Sequence, residues 1–186
     1  MNETSKEIVS QGKYLNFVRK SFFTRSGKQA TWEMVERNNI YNRGAVAVIA
    51  VTTDNELILE RHWRYAIESY AIQLPAGLTD REGETEEDTA RRELLEETGY
   101  LAGRLIPIET TPECTVLTSS RVKHYLAPDV EYRGGQSLDD AEVIEVLKIP
   151  LKNLSDFLFN LPPDTTLDLR VTGILWILEK KGLIKY

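Results

Sequence analysis

Apolar residues recur along this chain in short runs and alternations, a pattern that predicts many strands and few helices. Residues 14–23 and 30–35 read as strands on either side of a turn at 26–28, which predicts an antiparallel hairpin. The run AVAVIAV at residues 45–51 is continuous and rich in β-branched side chains, as in a strand buried on both faces. Further strands are predicted at 56–63, 69–77, 104–109, 121–126 and 142–149.

Three segments follow a helical pattern instead. The clearest helix is predicted over residues 86–98, a short one over 150–160 and an apolar-faced final helix over 167–182. Strands mixed with a few helices indicate an α/β or α+β fold. At 186 residues the chain fits one main domain, which we place at residues 43–186, after an N-terminal hairpin element at residues 1–42.

The content of cysteine and histidine limits the metals that the chain could bind. A single cysteine, Cys114, excludes an internal disulfide and fits a reducing compartment. One cysteine and two histidines do not make a zinc site of the usual kind, so a bound metal would be a hard cation held by carboxylates. We expect structural or incidental roles for the cysteine, both histidines and two of the tryptophans, which are Cys114, His62, His124, Trp63 and Trp176.

The charge and the distribution of apolar residues exclude other classes of partner. The net charge of −6 argues against a general electrostatic grip on nucleic acid, which needs a basic face. The longest apolar run, at residues 45–51, is too short to span a bilayer, and the first residues carry no signal-peptide pattern. We therefore expect a cytoplasmic protein with neither a nucleic-acid nor a membrane partner.

The predicted helix over 86–98 carries an unusual set of carboxylates. Thr85 is a suitable N-cap with Asp88 three positions on, and Gly99 is placed to end the helix in the left-handed region, while Ala90, Leu94 and Leu95 can face the core. Glu93, Glu96 and Glu97 stand at i, i+3 and i+4, so they share one helical face and repel one another. A hard divalent cation would offset that repulsion. The structural alternative is a solvated acidic face.

The residues around this helix resemble the Nudix box, G-x5-E-x7-R-E-U-x-E-E-x-G-U, in which U is apolar. The matching positions are Gly77, Glu84, Arg92, Glu93, Leu94, Glu96, Glu97, Gly99 and Tyr100. From Glu84 onward every fixed position matches at the expected spacing. One departure is that six residues, 78–83, separate Gly77 from Glu84 instead of five. The extra residue lies in a loop, where insertions cost little, but it puts the direction of the Ala76–Gly77 backbone in question.

The resemblance implies an α/β/α sandwich around a mixed sheet, and a hydrolase that depends on Mg²⁺, or on Mn²⁺, with more than one ion in the site. Glu93, Glu96 and Glu97 would bind the metal with their side chains, and Ala76 with its backbone carbonyl. Arg92 would pair with Glu84 and orient the helix. Glu96, Glu97 and Arg92 therefore belong to the implied catalytic set.

The resemblance extends over roughly residues 28 to 183 to the ADP-ribose pyrophosphatase branch of the family. The supporting segments are GAVAVIAV and ELILERHWRYAIESYAIQLPAGL, although Gln73 stands where this branch usually has a glutamate. Trp32 matches a tryptophan that stacks on adenine in some relatives, and a packing role in the hairpin is its alternative. Arg64 matches an arginine that contacts the diphosphate, and a surface role is its alternative. In these relatives the N-terminal hairpin crosses to a partner subunit, which implies a homodimer.

The general base in this branch comes from a loop before a late strand, which corresponds here to residues 134–150. Asp139, Asp140, Glu142 and Glu145 are the candidates. Glu142 fits best because EVIEV resembles the EDIEV of the relatives and lies at the junction of loop and strand.

The function implied is hydrolysis of the pyrophosphate bond of a nucleoside diphosphate sugar, with ADP-ribose as the leading substrate. The stretch TTPECTVLTSS lacks the Ser-Pro-Gly motif of many ADP-ribose enzymes, so a GDP-mannose-type or broader nucleoside diphosphate sugar hydrolase is an alternative. A nucleotide-sanitising or RNA 5′-end Nudix enzyme usually lacks the hairpin. A non-catalytic ADP-ribose sensor is the alternative from another class, but such proteins tend to have degenerate boxes.

Overall fold

The computed structural model describes residues 3–38 and 44–185. The strands are β1 (Glu3–Gln11), β2 (Leu15–Phe23), β3 (Gln29–Arg37), β4 (Gly44–Thr52), β5 (Glu56–Arg64), β6 (Ser69–Gln73), β7 (Ala76–Leu78), β8 (Tyr100–Leu101), β9 (Ile106–Pro112), β10 (Arg121–Tyr132), β11 (Ile144–Pro150) and β12 (Thr165–Leu167). The α-helices are α1 (Glu86–Thr98), α2 (Leu154–Phe159) and α3 (Leu169–Lys180), and a 3₁₀ turn at Leu151–Asn153 leads into α2. None of the helices in these ranges is long and apolar enough to cross a membrane.

The N-terminal strands form a separate antiparallel sheet in the order β1-β2-β3. The predicted hairpin is its β2–β3 pair, and β1 adds a strand that the sequence did not indicate. The side chains of residues 4–11 are exposed, so β1 is held by its backbone ladder to β2 and not by an apolar face. Val18 and Met34 provide the buried apolar positions of this sheet. The backbone N–H of Val35 donates to the carbonyl of Leu117 at 2.8 Å, which ties β3 to the main domain.

The main domain is built on a mixed sheet in the order β12-β6-β5-β4-β10-β8. The strands β11, β7 and β9 pair with β5, β4 and β10, respectively. The pairs β4–β10 and β6–β12 are parallel, and the other pairs are antiparallel. This arrangement confirms the mixed sheet that the sequence predicted.

Helices cover both faces of this sheet, and β4 contributes to the core on each side. Ala47, Ile49 and Val51 pack with apolar residues of α3 and with Leu154 of α2. On the other face, their neighbours Val46, Val48 and Ala50 pack with Ala90 and Leu94 of α1. Because successive side chains of a strand point to opposite faces, a run of seven apolar residues is what a central strand of a three-layer sandwich requires.

Two local expectations were wrong. The segment 69–77 is not one strand, because β6 ends at Gln73 and β7 begins at Ala76, on either side of Leu74 and Pro75. The carbonyl of Pro75 instead accepts a hydrogen bond of 2.9 Å from the backbone N–H of Val48. Leu95 is 38% exposed and does not belong to the core, since the buried face of α1 follows Ala90, Leu94 and Thr98 at four-residue intervals.

Candidate active site

Helix α1 begins and ends where its sequence predicts. The hydroxyl of Thr85 accepts a hydrogen bond of 3.1 Å from the backbone N–H of Asp88, whose carboxylate accepts one of 3.3 Å from the N–H of Thr85. This reciprocal capping box satisfies N–H groups that would otherwise lack partners. Gly99 ends the helix at φ 76°, where a side chain would be strained and would meet the carbonyl of Gly134.

The β7 backbone lies directly against the carboxylates of α1. The N–H of Ala76 donates a hydrogen bond of 2.8 Å to Oε2 of Glu97, which is 2% exposed. At Gly77 an added Cβ would lie 1.9 Å from the carboxyl carbon of Glu93, so only glycine allows this approach. The extra residue between Gly77 and Glu84 therefore leaves the backbone at Ala76 and Gly77 in contact with the acidic helix.

Arg92 joins three carboxylates of this region. Its Nε lies 2.8 Å from Oε1 of Glu84, and its Nη1 lies 2.7 Å from Glu93 and 3.0 Å from Glu96. Hydrogen bonds from Arg92 lower the pKa of Glu84, and the same contact raises the pKa of Arg92. Burial raises the pKa of Glu93 to about 7, against the effect of Arg92. Burial also raises the pKa of Glu97, with a further contribution from the charge of Glu60.

A cavity of about 640 Å³ opens beside these carboxylates, which is within the range of small-molecule sites. Its acidic lining residues are Asp80, Glu93, Glu96, Glu97, Glu113, Asp139 and Glu142. Its basic lining residues are Arg37, Arg64, Arg81, Arg92 and Arg170, with His62 beside them. A site with both signs of charge suits a ligand that is anionic and is also bridged to carboxylates by cations.

Arg64 is one of the lining arginines and is half-buried. Its Nε donates a hydrogen bond of 2.8 Å to Oε1 of Gln73, and burial lowers its pKa. The sequence pattern did not single out Arg37 or Arg170. Arg170 lies at the start of α3 beside Asp168, with Nε and Oδ2 2.9 Å apart, and only the packing of α3 brings it to the cavity.

The loop before β11 brings two of the four candidate bases to the cavity. Glu142 and Asp139 line it, and Oε2 of Glu142 accepts a hydrogen bond of 2.9 Å from the N–H of Asp139. Glu145 instead lies on the exposed side of β11, 3.4 Å from Arg61, and Asp140 does not line the cavity.

This loop is anchored to the last turn of α1. The N–H of Ser137 donates to the carbonyl of Glu96 at 2.8 Å, and the side-chain amide of Gln136 donates to that of Glu97 at 2.7 Å. These bonds satisfy carbonyls that lack partners within the helix. The loop with Glu142 is thereby held beside the metal-binding face that the sequence predicts.

Trp32 lies outside the cavity of its own chain. It is 49% exposed on β3, and its indole N–H donates to the carbonyl of Val116 at 3.2 Å. Packing within the chain therefore covers only about half of the surface of Trp32. Trp176, expected in the core or an interface, is also exposed, whereas Trp63 packs edge-to-face on Tyr70 with ring centroids 5.1 Å apart.

Beneath the cavity, β5 and β6 bury a polar group that the sequence did not indicate. It consists of Glu60, His62 and Gln73, next to Glu97 of α1. Strand register explains the grouping, since Glu60 and Gln73 are paired across β5 and β6, and His62 lies two residues from Glu60 on the same face. A period-two pattern in ELILERHW was the only available signal, and it could not show what the polar face would meet.

Comparison with known proteins agrees with this geometry. The family model described as NUDIX domain matches residues 41–167. An ADP-ribose pyrophosphatase of Bacillus subtilis (strain 168) is 31% identical over 150 residues, which cover 80% of this chain and 78% of that protein. An ADP-sugar pyrophosphatase of Mus musculus is 37% identical over 103 residues, 52% of this chain and 47% of that one. A crystal structure of an ADP compounds hydrolase superposes with a TM-score of 0.79 at 24% identity, covering 98% and 96% of the two chains, and so shares the fold.

Proposed function

We propose that this chain, which belongs to the Nudix family of hydrolases, cleaves the diphosphate bond of nucleoside diphosphate sugars with the help of Mg²⁺, and that ADP-ribose is its leading substrate. The products would be a nucleoside monophosphate and a sugar phosphate, AMP and ribose 5-phosphate in the leading case. The relatives named as ADP-ribose and ADP-sugar pyrophosphatases support this substrate class.

The observation that carries the proposal is one cavity in which the carboxylates of α1 face arginines from other elements. Glu93, Glu96 and Glu97 line this cavity together with Arg64 and Arg170. Guanidinium groups pair with phosphate oxygens in a bidentate geometry. Carboxylates alone would repel a diphosphate, so a cation must lie between them and the substrate.

The residues present fit a hard divalent cation. Glu93 and Glu97 are buried or nearly so, and the missing side chain of Gly77 leaves space for the Glu93 carboxylate against the β7 backbone. Glu93, Glu96, Glu97 and the carbonyl of Ala76 would hold the metal, and we include more than one ion in the proposal. Mg²⁺, or Mn²⁺ in its place, would neutralise the charge that develops on the diphosphate oxygens and would lower the pKa of the attacking water.

The remaining roles fall to side chains at fixed places around the cavity. Arg64 binds the diphosphate, and Arg92 keeps the metal-binding face of α1 in position through Glu84. Glu142 takes the proton of the water that attacks phosphorus, while the bond from that phosphorus to the leaving phosphate oxygen breaks. Glu142 is better placed to act as the general base than Asp140 or Glu145, because it lines the cavity and they do not.

We further propose that the N-terminal element at residues 1–42, of which the structure describes residues 3–38, pairs with a second copy of this chain. The exposed half of Trp32 is then available to stack on the adenine of a substrate bound in the partner subunit. Several other large apolar side chains of the N-terminal strands are exposed as well, including Ile8, Val9, Leu15 and Phe23. A dimer would cover part of this surface.

The test is to incubate the purified protein with Mg²⁺ and separately with ADP-ribose, GDP-mannose, UDP-glucose and dGTP, and to identify the products by mass. AMP and ribose 5-phosphate as the fastest-formed products support the proposal. Faster cleavage of another nucleotide sugar would keep the reaction and replace the substrate. Binding of ADP-ribose without cleavage of any of the four would overturn the catalytic proposal in favour of a sensor.

A further inference from the structure

The buried group beneath the cavity has no part in the hydrolysis proposed above. Glu60 is 0% exposed, and His62 is buried two residues further along β5. One ligand atom from each of Glu60, His62 and Glu97 lies within 4.8 Å of the other two. His62 and Glu97 reach the cavity lining, whereas Glu60 lies below it. The three side chains thus form a small buried polar chamber, two of whose members line the cavity.

One oxygen in this chamber has no partner in the described parts of the chain. Oε2 of Glu60 accepts a hydrogen bond of 3.2 Å from the side-chain amide of Gln73, but its Oε1 is buried with none. Nδ1 of His62 is 3.8 Å from Oε2 of Glu60, which is too far for a hydrogen bond. A buried carboxylate oxygen without a donor costs substantial free energy, so either a bound cation or a proton shared with the adjacent Glu97 carboxyl must satisfy it.

We propose that Glu60, His62 and Glu97 bind a divalent transition-metal ion at the floor of the cavity. Two carboxylates and an imidazole bring the donor atoms together at a separation that one ion can bridge after small side-chain adjustments. An imidazole nitrogen favours first-row transition metals such as Mn²⁺ over Mg²⁺, which prefers oxygen ligands and retained waters.

The surroundings of the chamber would also support bound metal. Gln73 holds Oε2 of Glu60 in place, and the N–H of Ala76 holds Oε2 of Glu97. Such outer contacts orient metal ligands in known sites. At position 73 a neutral amide can donate to Glu60, which a carboxylate in its ionised form could not do. The site shares Glu97 with the proposed hydrolysis but does not depend on which substrate is cleaved.

The test uses metal-stripped full-length protein loaded with Mn²⁺. Wild type is compared with Glu60→Gln, His62→Gln and a control, Glu56→Gln, which changes a carboxylate at the start of the same strand that lies 3.8 Å from Lys148. Electron spin echo spectroscopy detects the ¹⁴N coupling of an imidazole bound to Mn²⁺, and the paramagnetic resonance of free Mn²⁺ counts the ions bound.

We expect the ¹⁴N coupling in wild type and in Glu56→Gln, and its loss in His62→Gln. We also expect Glu60→Gln and His62→Gln to lower the affinity for one Mn²⁺ ion at least about tenfold, since even changes to residues that only contact the ligands commonly cost that much affinity. Because the chain has two histidines, a coupling that persists in His62→Gln would come from His124 and overturn the site. If Glu60→Gln does not fold, the comparison of wild type with His62→Gln decides alone.

Failure of this site and failure of the proposed function give different results. Hydrolysis of ADP-ribose with Mg²⁺ but no nitrogen coupling with Mn²⁺ overturns the site and leaves the function standing, and the Glu60–Glu97 pair then shares a proton instead. Nitrogen coupling without hydrolysis of any nucleotide sugar would support the metal site and overturn the proposed function.

Discussion

The backbone N–H of Ala76 and the carboxylate of Glu97 are joined by a hydrogen bond of 2.8 Å in the interior of the protein. This bond connects the strand before the acidic helix to the last turn of that helix, across 21 residues of sequence. The position of the most buried carboxylate of the site therefore depends on the β7 backbone as well as on α1.

Glu97→Gln tests whether this carboxylate serves catalysis or only packing. The amide keeps a carbonyl oxygen for the N–H of Ala76 but loses the negative charge that a cation requires. We expect kcat for ADP-ribose to fall at least about 100-fold, roughly 2.7 kcal/mol of barrier, with little loss of thermal stability. Steady-state kinetics and thermal melting measure the two effects.

The matched control for that substitution is Glu87→Gln. Glu87 lies exposed on the same helix and makes a long surface contact of 3.5 Å with Arg91. Equal activity of Glu97→Gln and Glu87→Gln, with a lower melting temperature for the first, would assign Glu97 a purely structural role.

Gly77→Ala tests the close approach of β7 to Glu93. The new Cβ would meet the Glu93 carboxylate, which cannot move freely because Arg92 pairs with it at 2.7 Å. We expect a loss of about 1–3 kcal/mol of stability from overpacking, together with a clear loss of kcat. Gly103→Ala, where an added Cβ meets nothing within 4 Å, is the control for both measurements. Unchanged kinetics in Gly77→Ala would show that catalysis does not depend on the position of the Glu93 carboxylate.

The pair Glu84–Arg92 predicts a pH dependence of stability. Arg92 lowers the pKa of Glu84 in the folded protein, so the pair stabilises the fold fully above the unfolded pKa of about 4.3, and this stabilisation is lost as pH falls through the lower folded value. Glu84→Gln should therefore cost about 1–3 kcal/mol at pH 7, and the difference from wild type should shrink below about pH 4. Urea unfolding at a series of pH values measures it. A difference that stays constant down to pH 3 would contradict the ion pair.

Trp32→Ala tests stacking on the adenine. We expect KM for ADP-ribose to rise about two- to tenfold, the equivalent of 0.5–1.5 kcal/mol of stacking, while Trp32→Phe keeps most of the affinity. Tyr14→Ala removes another exposed aromatic ring beside the same sheet and serves as the control. Light scattering of wild type should give the mass of a dimer. A monomer whose KM is insensitive to Trp32 would refute the proposed crossing of the N-terminal element.

Glu142→Gln, Asp139→Asn and Glu145→Gln distinguish the candidate bases. We expect Glu142→Gln to lower kcat about 100-fold or more, as loss of a general base does, and to remove the acidic limb of the pH–rate profile. Asp139→Asn should have a smaller effect, because Glu142 accepts its hydrogen bond from the backbone N–H of residue 139, which the substitution keeps. A larger loss in Asp139→Asn than in Glu142→Gln would reverse the assignment.

Features that depend on neighbouring residues in the chain could be predicted from the sequence. The limits of α1 follow from Thr85, Asp88 and Gly99, because capping and a left-handed C-terminal residue act within one helical turn. The central position of β4 follows from its unbroken apolar run. The shared face of Glu93, Glu96 and Glu97 follows from helical periodicity alone.

Features that depend on contacts between distant segments were decided only by the tertiary structure. β1 carries no alternating apolar pattern, so its place in the sheet follows from its hydrogen bonds to β2 and not from its sequence. Arg170 reaches the cavity only through the packing of α3. Glu60 and His62 looked like ordinary strand residues until the register of β5 and β6 and the position of α1 placed them beside Gln73 and Glu97. Local propensity acts over a few residues, whereas a buried polar chamber forms where elements far apart in sequence meet, so its chemistry belongs to the fold.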